Sequence, residues 1–246
     1  MVIYRIENGS EVEALRETKN GEHTLNYAPE IDFTEATSKL KVVVSDGREG
    51  KEAIGYMKAY VNMDVATLNV GSQPLANNAH VKYPDAFGMV SLNDLKTYSV
   101  DYAIANEVNA KNVDFKFYCF GASGSPRLYS MDNTGKDGEF SGSTGKLSAI
   151  KVKNLTRFAI LSNFDYENAT VASISSEILS SSIAQSLLDP IAVGNVIAFR
   201  TGGSSAAGGG RIGVMKVINI TEPKELVSNN ATARVMTVEI KFPKKK

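Results

Sequence analysis

Apolar and polar side chains alternate with a period of two along most stretches that could form regular structure, and this restricts the chain to a mainly β fold. In "KLKVVVSDG" Leu40, Val42 and Val44 share one face before Asp46-Gly47 signals a turn. "VDFKFYCF" sets Phe115, Phe117 and Cys119 against Lys116, Tyr118 and Phe120. "RVMTVEIKF" sets Met236, Val238, Ile240 and Phe242 against Val235, Thr237, Glu239 and Lys241. Further strands are expected in "YMKAYVNM" (56–63), in "TYSVDYAIA" (97–105, with Tyr98, Val100, Tyr102 and Ile104 on one face), in "LSAIKVKN" (147–154, Ile150 and Val152 inward) and in "RFAILS" (157–162). Such patterns suit half-buried antiparallel strands.

The expected helix is "SSEILSSSIAQSLL" (175–188). Ser175 or Ser176 would cap it, Leu179, Ile183 and Leu187 recur every four residues, and Asp189-Pro190 would end it. A polar, glycine-rich loop, "MDNTGKDGEFSGSTG" (131–145), precedes the expected boundary between two domains, residues 1–153 and 154–246. The fold class read from these elements is mainly β, with two β-sandwich-like and possibly Ig-like domains. The smaller one would hold the helix and a glycine-rich hairpin at 193–220 with its tip at 202–210.

That tip, "TGGSSAAGGGR", must be separated from a phosphate cradle. Gly203 and Gly208 have the glycine spacing of a P-loop, but Gly209 and Gly210 stand where Lys and Ser/Thr are required, and a strand pattern follows. "GSTGKL" (142–147) fails too, with Phe140 at the first glycine position and Leu147 after the lysine. "DNTGKDGE" (132–139) has Lys136 and Asp137 at the fifth and sixth positions of a would-be calcium loop, so a turn is expected there. "FGASGSP" (120–126) reads G-x-S-x-S around Ser123 and is no nucleophile elbow. Cys119, the single cysteine, reads as a small buried hydrophobe and excludes internal disulfides and multi-cysteine metal cages. The two histidines, His23 and His80, lie in polar surroundings and read as solvated loop residues.

Glu11, Glu13, Arg16 and Glu17 read as a solvated segment, Asp94 and Asp114 as strand-end residues, and Asp101 as a polar-face residue. Among ten tyrosines, Tyr56, Tyr60, Tyr83, Tyr98, Tyr102, Tyr118 and Tyr129 could form a binding platform, although strand faces also favour tyrosine. N-x-[ST] sequons start at Asn8, Asn154, Asn168, Asn219 and Asn230.

The 27 basic and 27 acidic residues cancel, and the "PKKK" tail (243–246) is too short for a nucleic-acid footprint, so neither nucleic acid nor an anionic membrane is an expected partner. The first residues show no basic segment followed by an apolar core, so the expectation is a chain made in a cytoplasm without a secretory leader. The strand-rich pattern loosely resembles Ig-like bacterial surface proteins and the β domains of phage structural proteins, without a signature that would transfer a binding residue. No catalytic, metal-ligating or cofactor-binding set emerges. The expected function is therefore non-enzymatic: a structural subunit of a virion or similar assembly that contacts copies of itself or other subunits through strand edges, tip and termini. The alternatives are a cell-surface protein binding glycan or protein, and a glycan-active enzyme with a carboxylate site assembled from scattered residues.

Overall fold

The computed structural model describes residues 1–18, 29–48 and 50–245. The fold is mainly β, with three antiparallel sheets and, among the described residues, three short helices. The chain divides into two compact units. The smaller comprises Met1–Asp64, Glu167–Glu177 and Pro243–Lys246; the larger comprises Val65–Tyr166 and Ile178–Phe242. The boundary expected at 153–154 falls inside the larger unit. Compositional breaks mark loops, whereas each unit is held together internally by segments distant in sequence.

In the smaller unit, β1 (Val2–Glu7) and β2 (Ser10–Arg16) form a hairpin across Asn8-Gly9, both in the left-handed region at φ 50° and 82°. Two such residues give the turn whose twist matches paired strands. β1 also pairs with β3 (Thr37–Ser45), and β3 with β4 (Glu52–Lys58), in the order β2-β1-β3-β4. Ile3 and Leu40 are buried, whereas burial fades toward β4. The expected strand at 56–63 is the end of β4, a turn at Tyr60–Asn62, and the first residue of β5 (Met63–Gly71). Asn62, at φ 52°, breaks the extended run.

The larger unit continues with β6 (Met89–Ser91), β7 (Lys96–Tyr98), α1 (Val100–Ala105), α2 (Glu107–Lys111), β8 (Phe115–Phe120), β9 (Ser125–Ser130) and β10 (Arg157–Leu161). The strand expected over 97–105 is thus only β7, followed by a helix. Ser99 accepts the Tyr102 amide at 3.1 Å as an N-cap, and Val100 and Ala103 fall on one buried face. Residues 147–154 form a 3-10 turn at Leu147–Ala149 rather than a strand. The alternation there pairs with no strand among the described residues.

α3 (Val171–Glu177) belongs to the smaller unit and corrects the helix expected at 175–188. Thr170 and Ser173 cap its start reciprocally, at 3.0 and 3.1 Å. After Glu177 the serines bond locally, as Ser182 does to the Leu179 carbonyl at 2.7 Å, and the chain makes a 3-10 turn at Ser180–Ser182. The presumed stripe is split: Leu179 is exposed, Ile183 is buried, and Leu187 enters β11 (Leu187–Leu188).

β12 (Val196–Arg200) and β13 (Ile212–Ile220) form the glycine-rich hairpin, and β14 (Val235–Pro243) completes the strands. The two larger sheets run β10-β12-β13-β14-β5 and β11-β9-β8-β6-β7. Residues of both make one apolar core, in which Phe115 meets Phe158 edge-on at 5.7 Å, with Phe117, Cys119, Phe199, Val238 and Ile240 around them. The other face of β8 and β9 carries a second core, where Tyr118 and Tyr129 pack with Val100, Phe140 and Leu147. β8 is therefore covered on both sides. No helix among the described residues is long and apolar enough to cross a membrane.

Candidate functional site

The glycine-rich tip folds back onto its own unit. Ser205 and Ala207 are buried, the latter in the apolar core, and the Ala206 amide bonds the Lys111 carbonyl at 2.9 Å. Gly202 lies so close to Leu155 that a Cβ would come within 2.5 Å of its amide nitrogen. Ser204 donates to Asn154 Oδ1 at 2.6 Å, and Asn154 Nδ2 donates to the carbonyls of Val113 and Lys111 at 2.8 and 2.9 Å. Beneath it, fully buried Asp114 accepts the Leu92 amide at 2.8 Å. Burial pushes its carboxyl up to about 6, against the opposing hydrogen bonds from Ser205 and Leu92. The tip's hydroxyls thus close a buried polar network and fix the hairpin.

The would-be calcium loop is tied to β8 by a buried lysine. Lys116, fully buried on β8, donates to Asp137 Oδ1 at 2.6 Å and to the Asn133 carbonyl at 3.0 Å. Its ammonium ties the loop to β8, and burial lowers its pKa despite Asp137. Asp132 is held by both terminal nitrogens of Arg157, at 2.9 and 2.8 Å. In "GSTGKL" the acceptor is Asp101 of α1. It takes the Ser143 and Thr144 amides at 2.9 and 3.0 Å together with both hydroxyls, and these bonds, the Ser143 hydroxyl foremost, hold its carboxyl well below the usual range. Among the described residues no group of three or more His, Cys, Asp or Glu side chains is placed to hold a metal ion.

The remaining single residues also have structural partners. Cys119 lies in the core, where burial pushes its thiol up to about 12. Ser123 is exposed in the β8–β9 turn. His80, expected to be solvated, is half-buried: one ring nitrogen faces the Leu226 carbonyl at 3.1 Å and the other accepts the Lys82 amide at 3.2 Å. His23 lies outside the described residues. Asp94 accepts the Tyr98 hydroxyl. Of the sequons, Asn154 is buried, whereas Asn8, Asn168, Asn219 and Asn230 are exposed.

The tyrosines do not form one platform. Tyr118 and Tyr129 are core residues, Tyr98 stacks on Tyr102 at 4.0 Å, and Tyr83 is half-buried. Tyr56 and Tyr60, in the smaller unit, are exposed. Phe120, at the end of β8, is exposed but already carries the Arg127 guanidinium at 4.0 Å and the Lys136 ammonium at 5.0 Å.

Among the described strands, β4 is exposed along its whole length. All seven of its residues are exposed, and Ile54, Tyr56 and Met57 are 51%, 63% and 61% accessible. The strand lies at the edge of its sheet, so one row of its amides and carbonyls has no strand to pair with among the described residues. Register assigns Met57 to the face of Leu40, and Ile54 and Tyr56 to the opposite face with Lys39 and Lys41. On that face Lys39 lies 5.7 Å from the Tyr56 ring centre and Lys41 5.5 Å from that of Tyr4.

The opposite edge, β2, is built differently. The acidic segment expected to be merely solvated is this strand: Glu11 pairs with Lys41 at 2.7 Å, Glu13 with Arg16 at 2.6 Å, and the pairing with β1 shifts register at Ile3/Tyr4. Charges and an irregular ladder discourage pairing with another chain. β4 has charges only at its ends, Glu52 and Lys58.

No family model and no curated protein matches the chain. Among solved structures it is similar to a DUF4466 family protein from Parabacteroides merdae, at 14% identity and a TM-score of 0.46. The likeness covers 83% of this chain and 62% of that one. At this level it carries no functional argument.

Proposed function

We propose that the protein is a non-enzymatic structural subunit of a larger protein assembly, of which a virion is one example. The observation that carries this reading is the largely apolar edge strand β4, exposed along its whole length, in a sheet whose other edge is charged. An unguarded edge is a template for strand addition, in which backbone hydrogen bonds provide attachment and alternate side chains provide selectivity. Its persistence on a folded chain is readily understood where a partner strand covers it. The larger unit supplies the stable body: we read its two five-stranded sheets as sandwich-like, with an Ig-like ancestry as the finer version of that reading.

Sedimentation over a wide concentration range, with electron micrographs of the same samples, tests the proposal. The expected result is a mass that rises with concentration, together with regular particles or oligomers. A constant monomeric mass would overturn assembly from copies of this chain.

A further inference from the structure

We infer that a second copy of this chain pairs with β4, antiparallel, about a two-fold axis at Gly55. This rests on the assembly reading and names the contact it would use. The backbone sets the allowed registers. The Ala59 amide bonds the Ser38 carbonyl at 3.0 Å, one step beyond the Lys39–Lys58 pair. Bonded and non-bonded pairs alternate along an antiparallel ladder. Ala53, Gly55 and Met57 therefore turn their backbone groups toward β3. Glu52, Ile54, Tyr56 and Lys58 turn theirs toward the open edge.

A symmetric partner must join through those four outward residues; axes at 53 and 57 would pair only three residues of the strand, which leaves 54, 55 and 56. The axis at 55 pairs the whole strand. It places Ile54 opposite Tyr56, a favourable β-branched–aromatic cross-strand pair, and Ala53 opposite Met57. It also sets Glu52 of each copy against Lys58 of the other, so the two-fold forms the same ion pair twice. An axis at 54 puts Glu52 opposite Tyr56, and one at 56 puts Ile54 opposite Lys58. Charge complementarity selects the register at 55.

Gly55 fits that position. A Cβ added to it would meet nothing within 4 Å, and its φ lies outside the left-handed region. Neither crowding among the described residues nor backbone conformation requires glycine at a mid-strand position where it weakens the strand. On the proposed axis Gly55 faces its own copy in a non-bonded pair, where the backbones approach to about 4.5 Å between Cα atoms. Lys58 also holds Glu167 at 2.9 Å, between half-exposed side chains, and would share its charge between Glu167 and the incoming Glu52.

The test uses the full chain and three samples: Glu52→Lys alone, Lys58→Glu alone, and the two mixed one to one. Each variant by itself faces like charges across the axis at both ends. Its association should weaken roughly tenfold, given cross-strand charge pairs of a few tenths to one kcal/mol each. In the mixture every lysine meets a glutamate, and sedimentation should show a mixed dimer near wild-type affinity. Unchanged melting curves for the single variants confirm that folding is intact. Wild-type association that neither variant weakens would overturn this contact while leaving assembly through another surface standing. Weakening in both variants without rescue in the mixture overturns the register at 55. A wild-type chain that stays monomeric overturns the contact and the self-assembly reading together.

Discussion

β8 and β4 are neighbours in length and both mostly apolar, five residues of six and four of seven, yet five of six residues are buried in "FKFYCF" and none of seven in "EAIGYMK". The difference lies in what covers them. Phe115, Phe117 and Cys119 enter the core shared by two sheets, and Tyr118 enters a second core roofed by α1 and the 140–150 segment. Even Lys116 is enclosed, because the following loop delivers Asp137 and the Asn133 carbonyl to its ammonium. β4 has β3 on one side and no strand on the other among the described residues. A strand's pattern states which side chains share a face; it does not state whether a second layer arrives to cover that face.

Three substitutions would break or sharpen this contrast. The largest effect is expected at Lys116. Lys116→Met leaves buried Asp137 with only the more distant Lys153 ammonium at 3.8 Å and should destabilise the larger unit by about 3 kcal/mol in denaturant titration. Adding Asp137→Leu should recover most of the loss. A single-variant loss below about 1 kcal/mol would mean that the pair is solvated and β8 is less enclosed than its burial implies.

The second lies beneath the glycine-rich tip. Asp114 has its carboxyl raised from 3.8 to about 6, so the fold favours the protonated form. Its stabilising contribution is present below pH 4 and is lost as pH rises through 6. About two pH units correspond to about 3 kcal/mol. Asp114→Asn, which stays neutral, should therefore gain about that much stability relative to wild type between pH 4 and pH 7. A pH-independent difference between the two proteins would show that Asp114 ionises without penalty.

The smallest effect on stability is expected on β4. Tyr56→Ser should change unfolding free energy by no more than about 0.5 kcal/mol, as exposed substitutions usually do. A loss of 2 kcal/mol or more would show that Tyr56 is covered within its own chain, and the contrast with β8 would fall.

Much of the architecture was legible from alternation alone. β3, β8, β10, β12, β13 and β14 lie where period-two patterns place them, and Cys119 is the buried hydrophobe its neighbours imply. The misreadings have specific causes. "TYSVDYAIA" satisfies period two and also holds Val100 and Ala103 at helical spacing, and the Ser99 cap decides between them. Residues 175–188 keep a four-residue repeat, but their serines satisfy the backbone locally and end the helix early. For the site, the sequence points to strand edges as a class of contact and does not distinguish β4 among them. Its residues look no different in sequence from those of a covered strand.

The sequence by itself determined the β class, the faces of most strands and the failure of the phosphate, calcium and nucleophile motifs, because each depends on residue type at fixed local spacing. Only the tertiary structure decided which strand would be left uncovered, that a buried lysine would pair with Asp137 of the 132–139 loop, and that the glycine-rich tip would close over Asp114. Those outcomes depend on which distant segments meet, and on burial that turns ordinary polar side chains into obligatory partners.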